Sequence, residues 1–236
     1  MKNTKINSYT AGHRERVKKR FREEGLDHFD DFHVLELLLF YCIPRVDTKI
    51  IAKDLITRFG SLSQVLEANR EDLMKVEGIG ENAATFLNLV MSVGRYYHVD
   101  RVSSQRILDT TEKCGEYLLP KFLGRRNELV YLLCMDARCK VLCCRQICEG
   151  SVNSAALSIR RIVETALGVN ASSVVLAHNH PSGLALPSGN DIVVTHRVAK
   201  ALEAVEITLA DHIIVGDDDD FVSLLQSGHY HPNEYK

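Results

Sequence analysis

Residues 177–191 read AHNHPSGLALPSGND. His178 and His180 stand two apart at the end of the apolar run SSVVL, and Ser188 and Asp191 follow a loop punctuated by proline and glycine. In a strand, residues i and i+2 point to one face, so the two imidazoles project together. Pro187-Ser188 reads as a helix start, and Asp191 falls in the first turn, where side chains lean back toward the N-terminus. Two nitrogens and one carboxylate oxygen are the ligand count of a catalytic zinc, with the fourth tetrahedral position left to water. Each piece has a duller reading. Ser188-x-x-Asp191 is close to a helix capping box, PSG is an ordinary turn former, and an isolated H-x-H is often surface or hydrogen-bonded core. The conjunction carries the expectation of one Zn2+ held by His178, His180 and Asp191 at a strand–loop–helix junction, where α/β sheets place their chemistry. The pair His229 and His231 has the same spacing but no carboxylate after it, and reads as polar tail.

The surrounding pattern predicts the elements that would hold these groups. Strand-like SSVVLAHNH precedes the loop, and SGNDIVVTHRVAKALEAVE has helical periodicity. ELVYLLCMD and KVLCCRQIC read as a hairpin turning at Asp136–Cys139. Further helices are expected over TEKCGEYLLPKF and over the segment ending at Gly168, with a further strand in ITLADHIIVG. Strands alternating with helices make residues 102–236 an α/β domain. Residues 1–101 read as helices. A basic helix covers 13–24, a Leu-rich one covers 33–42, and another is capped by Asp47 and ends at Gly60. A short helix follows from Ser61 or Ser63. VSSQRILDTT reads as the linker between the halves. The pair Asp211-His212 reads as structural support for the site, and Asp217–Asp220 as a solvated hairpin tip without EF-hand spacing.

The chain has 236 residues with 29 basic against 31 acidic side chains, so it is no polycation built for nucleic acid. The longest apolar run, VLELLLFYCI, is too short to span a bilayer and contains Glu36. No signal peptide is visible at the N-terminus. A cytoplasmic protein with no membrane partner is expected. Its seven cysteines are odd in number, and the five between Cys134 and Cys148 lack a CxxC pair. They read as small apolar groups in a hairpin rather than as disulfides or a zinc knuckle.

The string H-x-H-x7-S-x-x-D resembles the JAMM signature of MPN-type metallopeptidases. With HNHPSG, ADHIIVG downstream and GHRERVKKRF upstream, nearly the whole chain resembles the bacterial RadC family, which carries a DNA-repair label. The resemblance implies an MPN/JAB-like α/β/α sheet, similar to that of cytidine deaminases, after an all-α helix-hairpin-helix domain. It implies His178, His180 and Asp191 as zinc ligands, Ser188 as the hydroxyl that stabilises an oxyanion, and a glutamate on an earlier strand as general base. Glu128 occupies the matching context, and Glu149 is the competitor. The implied activity is peptide or isopeptide hydrolysis by metal-activated water, on a protein or peptide substrate that the sequence does not name.

Val76-Glu77-Gly78-Ile79-Gly80 resembles the hairpin of a helix-hairpin-helix module. Gly78, Ile79 and Gly80 would bring backbone amides near a phosphate, gripping DNA without reading bases. Arg14, Arg16, Lys18 and Lys19 would add positive charge. Plain turn chemistry and a solvated helix face explain the same residues. Two other functions stay open beside the hydrolase: a metal-dependent nuclease or DNA-processing protein, and a non-catalytic DNA-binding protein. A deaminase is disfavoured, because H-x-E and P-C-x-x-C are missing.

Overall fold

The computed structural model describes residues 8–44, 46–103, 107–150, 157–181, 183–216 and 220–232. They form two compact units that meet between Gly94 and Arg95.

The first unit is helical: α1 (Ser8–Glu24), α2 (Asp31–Cys42), α3 (Thr48–Phe59), α4 (Leu62–Glu67), α5 (Arg70–Leu73) and most of α6 (Glu81–Ser103). Local capping sets these boundaries. Asp30, Asp47 and Ser61 accept backbone amides at the starts of α2, α3 and α4, satisfying donors that no helix can pair internally. The core is aliphatic, built from Leu35, Leu39, Ile51, Leu55, Val65, Leu73, Ile79 and Leu87. Glu36, inside the Leu-rich α2, is fully buried and lies 3.0 Å from His13 Nε2. The predicted linker is corrected at its start. α6 continues to Ser103, since nothing in DRVS stops a helix, and residues 104–106 lie outside the described set.

The second unit continues with α7 (Thr111–Phe122), β1 (Leu129–Met135), β2 (Val141–Glu149), α8 (Ile159–Gly168), β3 (Ser173–Asn179), α9 (Gly189–Glu203), β4 (Thr208–Val215) and β5 (Phe221–Ser223). The strands form one mixed sheet in the order β2-β1-β3-β4-β5, with only β3 and β4 parallel. Alternation sorts the side chains. Val130, Leu132, Val174, Leu176 and Ile214 pack with Ile162 of α8 and Val194 and Val198 of α9. Leu129, Leu133, Val175, Ala177 and Ile213 pack with Tyr117 and Leu118 of α7. Helices thus cover both faces of an α/β sheet. The hairpin β1–β2 matches the sequence reading, and Cys134 stands opposite Cys143 across it. All seven cysteines are free thiols, and burial pushes the Cys144 thiol up to about 12, as inert small groups require.

Two expectations need amending here. The C-terminal residues are not simply tail: Tyr230 is buried and its hydroxyl donates to the Leu209 carbonyl at 2.6 Å, while His229 stays exposed near Ser227. Asp211 and His212 are joined through the backbone, the His212 amide donating to Asp211 Oδ1 at 2.7 Å, rather than ring to carboxylate. Asp211 accepts from Ser223 Oγ at 2.6 Å and from the Leu225 amide at 3.1 Å, whereas the His212 ring turns to the opposite face of β4. The expected tip at Asp217–Asp219 lies outside the described residues.

Candidate metal centre

β3 is paired on both sides, so its end is fixed in space. His178 stands opposite Val130 of β1 and Ile214 of β4. The ladder extends one step further, because the His180 amide donates to the Val215 carbonyl at 2.8 Å. Both imidazoles therefore project from the face covered by α9. Ser188 caps α9 with the reciprocal bonds of a capping box. The Ser188 amide and hydroxyl both donate to Asp191 Oδ2, at 2.8 and 2.6 Å. The capping box and the converging carboxylate are one device: the cap turns Asp191 back toward the strand end.

His178 Nε2 lies 3.0 Å from His180 Nε2 and 3.3 Å from Asp191 Oδ1, while His180 Nε2 lies 3.8 Å from Asp191 Oδ2. Among the described residues this is the only group of three potential ligands, with all donor atoms within 4.8 Å of one another. His178 is fully buried and Asp191 is 3% exposed, while His180 remains accessible from outside. Burial pushes His178 down to about 4, against the opposing pull of Asp191, so it is a neutral ligand-type imidazole near pH 7.

The donor set fits a divalent cation. His180 Nδ1 lies 3.4 Å from the Leu184 carbonyl. A carbonyl only accepts, so Nδ1 carries the proton and Nε2 keeps a lone pair. That lone pair faces a second imidazole nitrogen and a carboxylate, an array that a divalent cation would satisfy. Nitrogen and carboxylate donors in a three-ligand set suit zinc.

Glu128 immediately precedes β1, two residues before Val130, which pairs with His178. Glu149 pairs with Leu129, so it belongs to the α7 face, where it accepts from Asn127 Nδ2 at 2.7 Å. Sequence reasoning missed Asn179. Its Oδ1 accepts the Leu129 amide at 2.8 Å and its Nδ2 donates to the Asn127 carbonyl at 3.2 Å. Asn179 thus clamps the backbone on both sides of Glu128. Its place between two histidines was visible, but its partners lie 50 and 52 residues away. Thr195 was also missed, whereas His212 supports the site as the sequence suggests: His212 Nε2 lies 2.8 Å from His178 Nδ1, and His212 Nδ1 lies 2.6 Å from Thr195 Oγ1.

In the helical unit, the Arg14 guanidinium donates to the carbonyls of Ile43, at 2.9 Å, and Val46. It closes the C-terminal end of α2. Lys18 lies by Glu15 and Lys19 by Glu23, while Arg16 is exposed. Gly78 has φ +88°, and a Cβ there would meet Ile51 Cδ1 at 2.6 Å. Ile79 is core, and Gly80 faces open space.

A family model described as a RadC-like JAB domain matches residues 108–229. A UPF0758 protein of Fusobacterium nucleatum is 34% identical over 224 residues, which is 92% of this chain and 96% of that one. A UPF0758 protein of Paraburkholderia xenovorans is 33% identical over 201 residues, or 85% of this chain and 79% of the relative. The matched span takes in α7, all five strands described above and the three converging side chains, and the chain belongs to the family of RadC-like JAB domain proteins.

Proposed function

We propose that the second unit is a zinc-dependent hydrolase of the JAMM type, cleaving a peptide or isopeptide bond. The observation that carries this reading is the convergence of His178 Nε2, His180 Nε2 and Asp191 within one buried, hydrogen-bonded corner of the sheet. These three residues would hold the ion, which supplies Lewis acidity and brings water into use as a nucleophile near neutral pH. Glu128, which strand alternation continued from the Val130–His178 pair would bring to the histidine face, accepts a proton from the attacking water and returns it to the leaving amine nitrogen. Ser188 lies exposed at the start of α9, and its hydroxyl turns from Asp191 toward the developing oxyanion. One such donor is worth about a hundredfold or more in rate. Seven free cysteines support a reducing, cytoplasmic setting, and no described helix is long and apolar enough to cross a membrane.

The DNA readings have weaker support. Arg14 is engaged in closing α2, Gly78 answers to packing, and Lys18 and Lys19 sit beside carboxylates. Arg16 and Gly80 remain as the exposed groups of a helix-hairpin-helix contact, which would serve to bring the hydrolase to DNA. Metal analysis of wild type and His178→Ala, with peptide and DNA substrates incubated in parallel, tests the proposal. The expected result is about one zinc per chain in wild type, none in the variant, and metal-dependent cleavage of peptide alone. Nicked DNA under the same control would replace peptidase by nuclease. Metal-free wild type with steeply salt-dependent DNA binding would leave a binding protein.

A further inference from the structure

Behind the ligand set runs a second chain of polar side chains, buried in the sheet. Thr195 Oγ1 donates to the Asp191 carbonyl at 2.6 Å within α9. The same oxygen lies 2.6 Å from His212 Nδ1 on β4, and His212 Nε2 lies 2.8 Å from His178 Nδ1 on β3. Thr195, His212 and His178 are each 0% exposed, so water cannot stand in for any partner. We propose that Thr195 and His212 are positioning residues that hold the His178 proton on Nδ1 and so keep its Nε2 bare for a metal ion, a claim that builds on the hydrolase reading.

The proton positions follow from what each group can do. A hydroxyl has one proton, and the Asp191 carbonyl can only accept, so the Thr195 proton goes there. Thr195 Oγ1 must then accept, and the proton between it and His212 belongs to Nδ1. The His212 ring is 0% exposed and its nitrogens meet a hydroxyl and a second imidazole, surroundings that disfavour a charge, so His212 Nε2 has a lone pair and the bond to His178 is donated by His178 Nδ1. His178 Nε2 is left without a proton, facing His180 Nε2 at 3.0 Å. Because His180 gives its own proton to the Leu184 carbonyl, neither nitrogen can donate to the other. The proton that might have bridged the two imidazoles without any metal is excluded from both sides. The arrangement also ties together the three elements that carry the site: β3 with His178, β4 with His212, and α9 with Thr195 one turn beyond Asp191.

Removing the hydroxyl predicts a definite rearrangement. In Thr195→Val, His212 Nδ1–H has nothing to accept it. His212 gains by carrying its proton on Nε2 and donating to His178 Nδ1. His178 must then carry its proton on Nε2, the atom the metal needs. Thr195→Ser keeps the hydroxyl and the order. Long-range proton–nitrogen correlation spectra of the histidine rings in metal-free wild type should show His178 and His212 protonated on Nδ1. Zn2+ affinity, measured by competition with a chromophoric chelator, should fall roughly 10- to 100-fold in Thr195→Val and stay near wild type in Thr195→Ser. The Thr195→Val spectrum should show the His178 proton moved to Nε2. Wild-type spectra with His178 protonated on Nε2, or a folded Thr195→Val that binds Zn2+ as tightly as wild type, would overturn the proposal. If wild type shows the Nδ1–H forms yet binds no Zn2+, the hydrolase reading fails while the proton order stands.

Discussion

The turn Gly78–Gly80 and the loop leading to Asp191 are built alike in sequence: short, punctuated by small residues or proline, and placed before a helix. Their structures differ in what explains the residues. At the first, packing accounts for the residue types. Gly78 takes a left-handed φ and sits against Ile51, and Ile79 fills the core. At the second, packing explains nothing. His178, Asp191, Thr195 and His212 occupy interior positions that an aliphatic residue would fill at less cost, since burying a polar group without a partner is unfavourable. They are tolerated because each is matched to another. A residue type that packing accounts for carries no functional message, whereas matched polar groups in a core call for a ligand or a reaction.

The sharpest way to break this contrast is at Glu128. Glu128→Gln should lower peptide cleavage by about 10²–10⁴-fold with metal content unchanged, while Glu149→Gln on the other face should leave the rate near wild type. The reverse result would move the base to the α7 side of the sheet. The next effect is on stability against pH. Burial holds His178 at about 4, below its ordinary 6.5, and holds His212 low as well. As pH falls below 6.5 the unfolded chain binds protons that the folded chain resists. His178 alone should therefore cost the metal-free protein roughly 2–3 kcal/mol between pH 6.5 and 4, with His212 adding loss in the same direction, and the protein is most stable in this respect above 6.5. Denaturant titrations across that range measure it, and the curve for His178→Gln should be flatter.

Smaller effects test the helical unit. Gly78→Ala should cost about 1–3 kcal/mol through positive φ and the clash with Ile51, whereas Gly80→Ala, with open space around it, should cost less in thermal unfolding. Arg14→Ala should cost about 1–2 kcal/mol by leaving the end of α2 without its donor. Arg16→Ala should change stability by no more than about 0.5 kcal/mol. If Arg16→Ala with Lys19→Ala abolishes DNA retention at low salt while the fold is unaffected, the helical unit carries a binding function beyond packing.

Local order was legible where a single residue decides it. Asp47, Ser61 and Ser188 announce helix starts, and their side chains do accept the first-turn amides. The H-x-H spacing placed two imidazoles on one face because strand alternation is local geometry. Long-range partners were not legible. His212 lies 34 residues from His178, and Thr195 lies 17 from His212. Nothing in HIIVG or VVTH says that β4 pairs in parallel with β3. Tyr230 was read as tail because its hydrogen-bond partner, Leu209, lies 21 residues earlier in the chain.

The order of residues along the chain thus determined the helices, the strands, and the set of side chains able to hold an ion. It also sufficed to place the chain near its family, since H-x-H-x7-S-x-x-D is a contiguous string. Tertiary structure alone decided which backbone Asn179 clamps and which side chains meet His178 Nδ1 and Nε2. Those outcomes depend on strand register and on contacts closed through space, and each is set only when β1, β3, β4 and α9 are packed against one another.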